Sequence, residues 1–307
     1  MNLSGIINIY KEPGMTSHDV VYHLRKILCM KKIGHTGTLD PAAEGVLPVA
    51  LGPATRLCDL LNENGKVYRA VMRLGVTTDT QDLTGEVLSE REVLSTEEEI
   101  REAADAFTGS ITQVPPMYSA VKVDGKKLYQ LARKGIEVER PAREVTIDSI
   151  VIEKIDLPDV TMTVTCSKGT YIRTLCADIG ERLGCGACMG TLVRLKAAGL
   201  SADDALTLDQ VRECMENGTI GEHIVPTEAF FTEYAGAKVD PENDIYLMNG
   251  NPFLRGQLIL FDCADGQEEP AFTKKLRLYD SEGTFAGVYE KYGRRYKPWK
   301  MFLPPRE

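Results

Sequence analysis

The stretch Gly34-His-Thr-Gly-Thr-Leu-Asp-Pro41 ends a turn rich in glycine and threonine on a single carboxylate, Asp40. Glycines at 34 and 37 admit backbone angles that other residues resist, and Pro41 biases Asp40 toward an extended conformation. Such a loop can hold the carboxylate in one place, as nucleophilic or charge-stabilising chemistry requires. Two further elements carry reactive side chains. Tyr68 opens the alternating segment KVYRAVMRLG, and Tyr171-Ile-Arg173 opens an amphipathic helix pattern. An arginine in a first helical turn faces the positive end of the helix dipole and is disfavoured unless an anion lies nearby. Each residue also has a plainer reading: Asp40 as a helix cap, Tyr68 as a core aromatic, Arg173 as a surface cation.

Cys185-Gly-Ala-Cys188 has the spacing of half a zinc site or of a redox motif. No second pair and no nearby histidine completes a tetrahedral set, so the pair reads as small buried thiols around a glycine turn. The eight cysteines, at 29, 58, 166, 176, 185, 188, 214 and 263, are scattered over 307 residues, which fits reduced thiols in a cytoplasm.

The net charge of −9 argues against nucleic-acid binding driven by the whole molecule's charge. The charge is nonetheless segregated. Between Tyr118 and Val145 stand Lys122, Lys126, Lys127, Arg133, Lys134, Arg140 and Arg143 against four acids, whereas acids concentrate from Glu86 to Asp105. The C-terminal KYGRRYKPWK interleaves cations with Tyr292, Tyr296 and Trp299, a mixture suited to phosphate contacts and base stacking or to an ordinary surface strand.

The elements that must position these groups read as follows. Gly5–Tyr10 is a short apolar strand, and Pro13-Gly14 turns it toward a helix capped by Thr16 or Ser17, with Val20, Val21, Leu24, Ile27 and Leu28 at helical spacing. VLPVALG is a buried strand after the Asp40 loop, and the strand from Lys66 puts Tyr68, Ala70, Met72 and Leu74 on one face. Ser95 and Glu98 form a capping box for a helix facing inward through Ile100, Ala103, Ala104 and Phe107. Val160–Cys166 alternates as a strand before the helix that carries Ile172, Leu175, Ile179 and Leu183 inward. A polar, small-residue stretch from Phe231 to Val239 leads into short strands between glycine turns, a β-rich domain of about 70 residues.

The length suits two domains. The N-terminus lacks the features of a secretory signal, and the apolar runs fall short of a membrane span. The expected location is the cytoplasm.

Five blocks carry a resemblance: NIYKEPGMTSHDVV, GHTGTLDPAAEGVLPVALGPATR, KVYRAVMRLGVTTDTQDLTGE, VPPMYSAVKVDGKKLYQLARKG and CSKGTYIRTLCADIGERLGCGA. In this order, over most of residues 5 to 195, they resemble the TruB family of tRNA pseudouridine synthases. The resemblance implies an α+β fold, with a central mixed, largely antiparallel sheet flanked by helices in residues 1–231. It implies an RNA-clamping insertion at about 112–145 and a PUA-like RNA-binding domain at 236–307. It implies isomerisation of uridine 55 in the T loop of tRNA, through detachment, turning and rejoining of the base, with no metal or organic cofactor.

Residue by residue, Asp40 matches the family's catalytic aspartate and Arg173 the arginine paired with it, a cation expected to lower the carboxylate's pKa. Tyr68 matches the tyrosine that stacks on the target base and is a candidate for taking its C5 proton, while Tyr171 and Leu192 match pocket walls. His35 matches the histidine that stacks near the position vacated by a flipped base; alone it would read as a turn histidine bonded to backbone. Lys11 matches a lysine that supports the active-site tyrosine or the RNA backbone, or is solvated. The clamp residues are Lys122, Lys126, Lys127, Arg133, Lys134 and Arg143. The expected partner is the tRNA T arm, bound by a monomer without membrane or obligate protein partner. The rivals are a noncatalytic RNA chaperone, a synthase for another T-loop-like RNA, and a hydrolase using Asp40, for which no histidine partner or paired carboxylate is evident in the sequence.

Overall fold

The computed structural model describes residues 3–123, 125–261 and 274–303; of Lys122 only the backbone is described. Cys263 and the far ends of the chain therefore lie outside the described residues.

The chain begins with β1 (Gly5–Lys11), buried along nearly its whole length, and turns at Gly14 into α1 (Ser17–Ile27). Thr16 is the N-cap: its side chain accepts from Asp19 N–H while the Asp19 carboxylate accepts from Thr16 N–H, a complete capping box. Val20, Val21 and Leu24 form its buried stripe. A hairpin follows, β2 (Ile33–His35) antiparallel to β3 (Glu44–Leu51), and its connection is the Asp40 loop. No helix starts at Asp40, so the cap reading is excluded.

After the short α2 (Cys58–Asn62), β4 (Lys66–Leu74) shows the expected alternation with Tyr68, Ala70, Met72 and Leu74 inward. The pair β5 (Val76–Thr78) and β6 (Val87–Glu90) forms a side hairpin. Helix α3 (Glu97–Asp105) starts one residue later than expected: Thr96 and Glu99, not Ser95 and Glu98, form the capping box. That register puts Ile100, Ala103 and Ala104 in the core and three glutamates at the positive helix end, where the dipole favours them.

Next, β7 (Gly109–Gln113) pairs with β10 (Arg143–Asp156), and the described residues between them form an inserted projection that touches the core through Tyr118 O. The projection holds the two-residue strands β8 (Lys122–Val123) and β9 (Lys126–Lys127) and helix α4 (Leu128–Ala132). The chain continues through β11 (Asp159–Cys166), α5 (Ile172–Arg182), β12 (Ala187–Ala197), β13 (Leu200–Ser201), α6 (Leu208–Glu216) and β14 (Ile224–Val225).

These strands form one sheet in the order β14-β1-β3-β12-β4-β11-β10-β7, with β2 and β13 at its margins. The β3–β12 pairing is parallel and the others are antiparallel, so the sheet is mixed and largely antiparallel. One core lies between the sheet and helices α3 and α5; another lies under α1 and α6.

The C-terminal part is a second sheet. Its strands are β15 (Ala235–Lys238), β16 (Phe253–Leu254), β17 (Ile259–Phe261), β18 (Lys275–Tyr279), β19 (Phe285–Tyr292) and β20 (Arg295–Met301), with α7 (Asp244–Met248) at its side. The small-residue stretch around 231–239 is not an open linker. Ala235–Lys238 lies between β17 and β18, where Phe261 leaves no room for a side chain at Gly236. Phe231 is buried in a cluster shared by Ala50 and Leu57 of the large sheet's side and Val288 and Phe302 of the small one. Of the aromatics in KYGRRYKPWK, Tyr296 is buried and Trp299 packs into that shared cluster, while Tyr292 is 71% exposed with Lys297 4.1 Å from its ring centre. Packing accounts for the first two. Among the described residues, no helix is long and apolar enough to cross a membrane.

Candidate active site

A single row of residues crosses the large sheet, set by strand register: Lys11 opposite Gly45, Gly45 opposite Arg194, Arg194 opposite Tyr68, Tyr68 opposite Val164. Neighbours in register share a face. The row therefore brings two cations and a tyrosine beneath the loop that precedes β3. Gly45 stands in it because β3 and β12 approach so closely that a Cβ would lie 2.3 Å from the Arg194 carbonyl oxygen.

The loop is held from below through its own backbone. Lys11, with no solvent exposure, donates to the carbonyls of Ala43 at 2.6 Å and Pro41 at 3.2 Å. Arg194, equally buried, donates to Val46 O at 2.7 Å and reaches Thr38 O and Gly37 O at 3.4 Å. Ser17 Oγ accepts from Leu39 N–H at 2.9 Å. Gly37 has φ +67°, so the loop uses glycine's freedom there; Gly34 does not adopt a left-handed backbone, contrary to its expected role, and instead leaves room for Cys58. Leu39 and Ala43 insert into the same core as Tyr68 and Leu192, which fixes the carboxylate's flanks.

Asp40 meets Arg173, its Oδ2 3.0 Å from Nε. Arg173 is the second residue of α5 and its side chain is only 5% exposed, so it is no surface cation. Its Nη1 donates to Thr80 O at 3.0 Å and its Nη2 to Tyr118 O at 2.8 Å. Nη1 also lies 3.7 Å from Asp82 Oδ2. The anions that a helix-start arginine requires are thus Asp40 and Asp82. The Asp40 carboxyl is nevertheless held above the ordinary aspartate range. Loss of hydration outweighs the pull of Arg173, Asp82 pushes in the same direction as burial, and Lys11 opposes it. Arg173 does pull the value down as expected, and the net direction is upward because partial burial of the carboxyl outweighs one shared guanidinium.

Tyr68 is 8% exposed; burial raises its hydroxyl pKa, with Arg194 opposing through its charge. Leu192 lies on the neighbouring strand in the same core. Tyr171 is the N-cap residue of α5, and the buried Gln113 grips its backbone on both sides, accepting from its N–H at 3.0 Å and donating to its carbonyl at 3.2 Å. His35 stands at the end of β2, half-buried, and burial lowers its imidazole pKa. Lys11 contacts the loop carbonyls, which separates it from a solvated lysine.

Lys126, Arg133, Lys134 and Arg143 are exposed on or beside the projection, and Lys127 is half-buried, with Lys127 and Arg133 flanking the Tyr129 ring at 5.6 and 5.5 Å. Arg140 is occupied by Glu137 and the Pro115 carbonyl. Cys185 and Cys188 are buried.

Three participants escaped sequence reasoning: Asp82, Arg194 and Gln113. Arg194 had a signal, since it occupies an inward position two residues after Leu192 in a strand. Asp82 had a weaker one, in the turn-forming DTQDLTG. Its Oδ1 accepts from Thr80 Oγ1, Thr84 N–H and Thr84 Oγ1 at 2.8, 2.9 and 2.5 Å. A second carboxylate does therefore stand beside Arg173, with its Oδ1 engaged by the threonines and its Oδ2 turned to the guanidinium. Gln113 had no signal.

Burial lowers the Lys11 ammonium pKa to about 8, with Asp40 opposing and Arg194 reinforcing. Its unfolded-state value is near 10.5, so between these pH values the unfolded chain binds the proton and the folded one does not. Stability contributed at this position then rises with pH, by up to about 1.4 kcal/mol per pH unit. Thermal melts of wild type and Lys11→Met at pH 7 and pH 9.5 should show the wild type gaining on the variant; a constant difference would contradict it.

The site joins a carboxylate fixed on an arginine to a buried tyrosine and an apolar wall, with exposed cations on the neighbouring projection. Residues 25–172 match the model of the TruB family pseudouridylate synthase N-terminal domain, and residues 173–232 match the tRNA pseudouridylate synthase B C-terminal domain. Similar curated proteins, each called tRNA pseudouridine synthase B, come from Clostridium perfringens (44% identical, covering 98% of this chain and 99% of that protein) and Streptococcus pneumoniae (45%, 98% and 100%). Another from Alkaliphilus oremlandii is 49% identical over 84% of this chain and 85% of that protein. Among solved structures, a Cbf5-Nop10-Gar1 complex is similar at TM-score 0.69 and 27% identity, covering 98% of this chain and 85% of that one. An H/ACA ribonucleoprotein bound to a substrate RNA containing 2′-deoxyuridine is similar at 0.68 and 25%, with the same coverage. The class is pseudouridine synthase, an isomerase. The chain belongs to the TruB family of pseudouridylate synthases.

Proposed function

We propose that this protein converts uridine 55 in the T loop of tRNA to pseudouridine. The observation that carries the reading is the Asp40–Arg173 pair at 3.0 Å on a loop locked to the wall that holds Tyr68 and Leu192. The relatives' name, tRNA pseudouridine synthase B, supports the substrate.

The target base is extruded from the folded T loop, at a cost of a few kcal/mol of stacking, and His35 stacks near the position it leaves. Tyr68 stacks on the flipped base, with Tyr171 and Leu192 as further walls. Asp40 acts as nucleophile or as stabiliser of the sugar as the bond from N1 to C1′ breaks; the base turns and rejoins through C5, Tyr68 takes the C5 proton, and N1 gains a proton from solvent. Arg173 holds Asp40, and Lys11 holds its loop. The apolar walls keep water from the broken bond. The reaction rearranges atoms of one molecule without net electron transfer, and the proposal requires no cofactor. Residues 1–231 act as the catalytic unit and 236–307 as a PUA-like RNA-binding unit, in a cytoplasmic monomer.

Lys122, Lys126, Lys127, Arg133, Lys134 and Arg143 clamp the T arm through phosphates. Lys126→Gln with Lys127→Gln should reduce the slope of log affinity against log salt by roughly 1.5. A slope equal to wild type would remove these lysines from the clamp.

The function itself is tested with an unmodified tRNA transcript carrying tritium at uridine C5. Stoichiometric release, with pseudouridine mapped to position 55, is expected. Tight binding without release would leave an RNA chaperone, and pseudouridine at another site would reassign the substrate.

A further inference from the structure

Arg194 is the bulkiest of the fully buried side chains, and it sits among cations rather than anions. Among the described residues no carboxylate stands within ion-pair distance of it; Lys11, Lys66 and His35 all feel its charge. Removing a guanidinium from water is expensive when no anion compensates it. Its hydrogen bonds go instead to neutral carbonyls: Val46 of β3, and Gly37 and Thr38 of the Asp40 loop. Directly opposite it in register, on β4, is Tyr68, which feels its charge. The close approach of β3 and β12 on which this depends is kept by a glycine: a Cβ at Gly45 would collide with the Arg194 backbone.

We propose that Arg194 is a positioning residue for the isomerisation: from the strand paired with that of Tyr68, its guanidinium holds the backbone of the Asp40 loop, fixing the separation of the two groups that act on the base. The proposal rests on the roles given above to Asp40 and Tyr68. A fork with several donors can hold the three carbonyls of Gly37, Thr38 and Val46 at once, whereas an ammonium is a point charge that cannot span them. The charge has a second consequence. Tyr68 is faced by Arg194 from β12, Cys166 from β11 and Asp40 from the loop; of these only Arg194 favours the phenolate, so it keeps Tyr68 closer to accepting a proton.

The two contributions separate in two variants, measured by single-turnover tritium release at saturating tRNA across pH 6 to 10, together with tRNA affinity and Tm. Arg194→Lys keeps the charge at the acidic end of this range, below the pH at which a lysine buried here sheds its proton, and loses the fork: the rate there should fall about tenfold. Arg194→Gln loses both: the rate should fall on the order of 100-fold, and its rise with pH should move to higher pH because nothing then offsets burial of the Tyr68 hydroxyl. Affinity for tRNA should stay at wild type for both, since Arg194 reaches no surface. A purely structural role would lower Tm while leaving the rate per folded molecule and the profile unchanged, and that result overturns the proposal. Should Arg194→Gln not fold, Arg194→Lys decides alone: a wild-type rate overturns the proposal, and a tenfold loss at unchanged affinity supports it. Asp40→Asn is the control. If it converts tRNA, the reading of the site fails; if it is dead while both Arg194 variants match wild type, only this proposal fails.

Discussion

Asp40→Asn will lose pseudouridine formation by on the order of 10⁴-fold or more, with tRNA binding and the fold intact. Asparagine matches aspartate in size, so the loop packing through Leu39 and Ala43 is unaffected. What disappears is the anionic oxygen that attacks or stabilises the sugar. Stability should hold or rise slightly, and the sign follows from the raised pKa of Asp40. A carboxyl that binds its proton more tightly when folded weakens the fold once pH exceeds its unfolded value of 3.8, so at neutral pH a neutral isostere relieves a cost. With 40% of the side chain exposed, the relief is small. Arg173 does not become an orphan, because Asp82, Thr80 O and Tyr118 O remain. The check is single-turnover tritium release beside filter binding and a thermal melt. Conversion within tenfold of wild type would remove Asp40 from the chemistry.

Arg173→Met carries the second large effect, a fall of roughly 10²- to 10⁴-fold in kcat, and it should also move the pH profile. The guanidinium orients Asp40 and neutralises it, and holds Asp82 and two backbone carbonyls in the same fork. Without it, two carboxylates face each other with Lys11 as the remaining cation acting on Asp40. Asp40 is then driven further above the ordinary range. Since the ionised form is active, activity is lost as pH falls through that higher value, and the acidic limb shifts upward. Asp82, 12% exposed in its side chain, loses its cation, so Tm should fall as well. Arg173→Lys should recover little, because one ammonium cannot replace four directed contacts. A variant with reduced kcat but an unmoved acidic limb would show that Arg173 does not act through Asp40's charge.

Local pattern made much of this molecule readable. The alternation in Lys66–Leu74 put Tyr68 inward, and the period of Ile172, Leu175 and Ile179 placed Arg173 in a first helical turn, because burial on one face imposes its period on the sequence. The one-residue error at α3 has a local cause: Ser95 and Thr96 are both competent caps, and only the docking of Ile100 and Ala104 chooses between them.

The arithmetic of charge was not readable. Whether Asp40 is raised or lowered depends on how deeply its loop is buried and on Asp82, which a hairpin 40 residues away carries to the same guanidinium. Strand register put Lys11, Arg194 and Tyr68 in one row, and no window of sequence contains all three. The reactive residue types, the elements that bear them and the family were legible in the order of residues. Tertiary structure alone decided which cation meets which carboxylate, since pairing energies depend on distance and burial, and both are set by strands far apart in the chain.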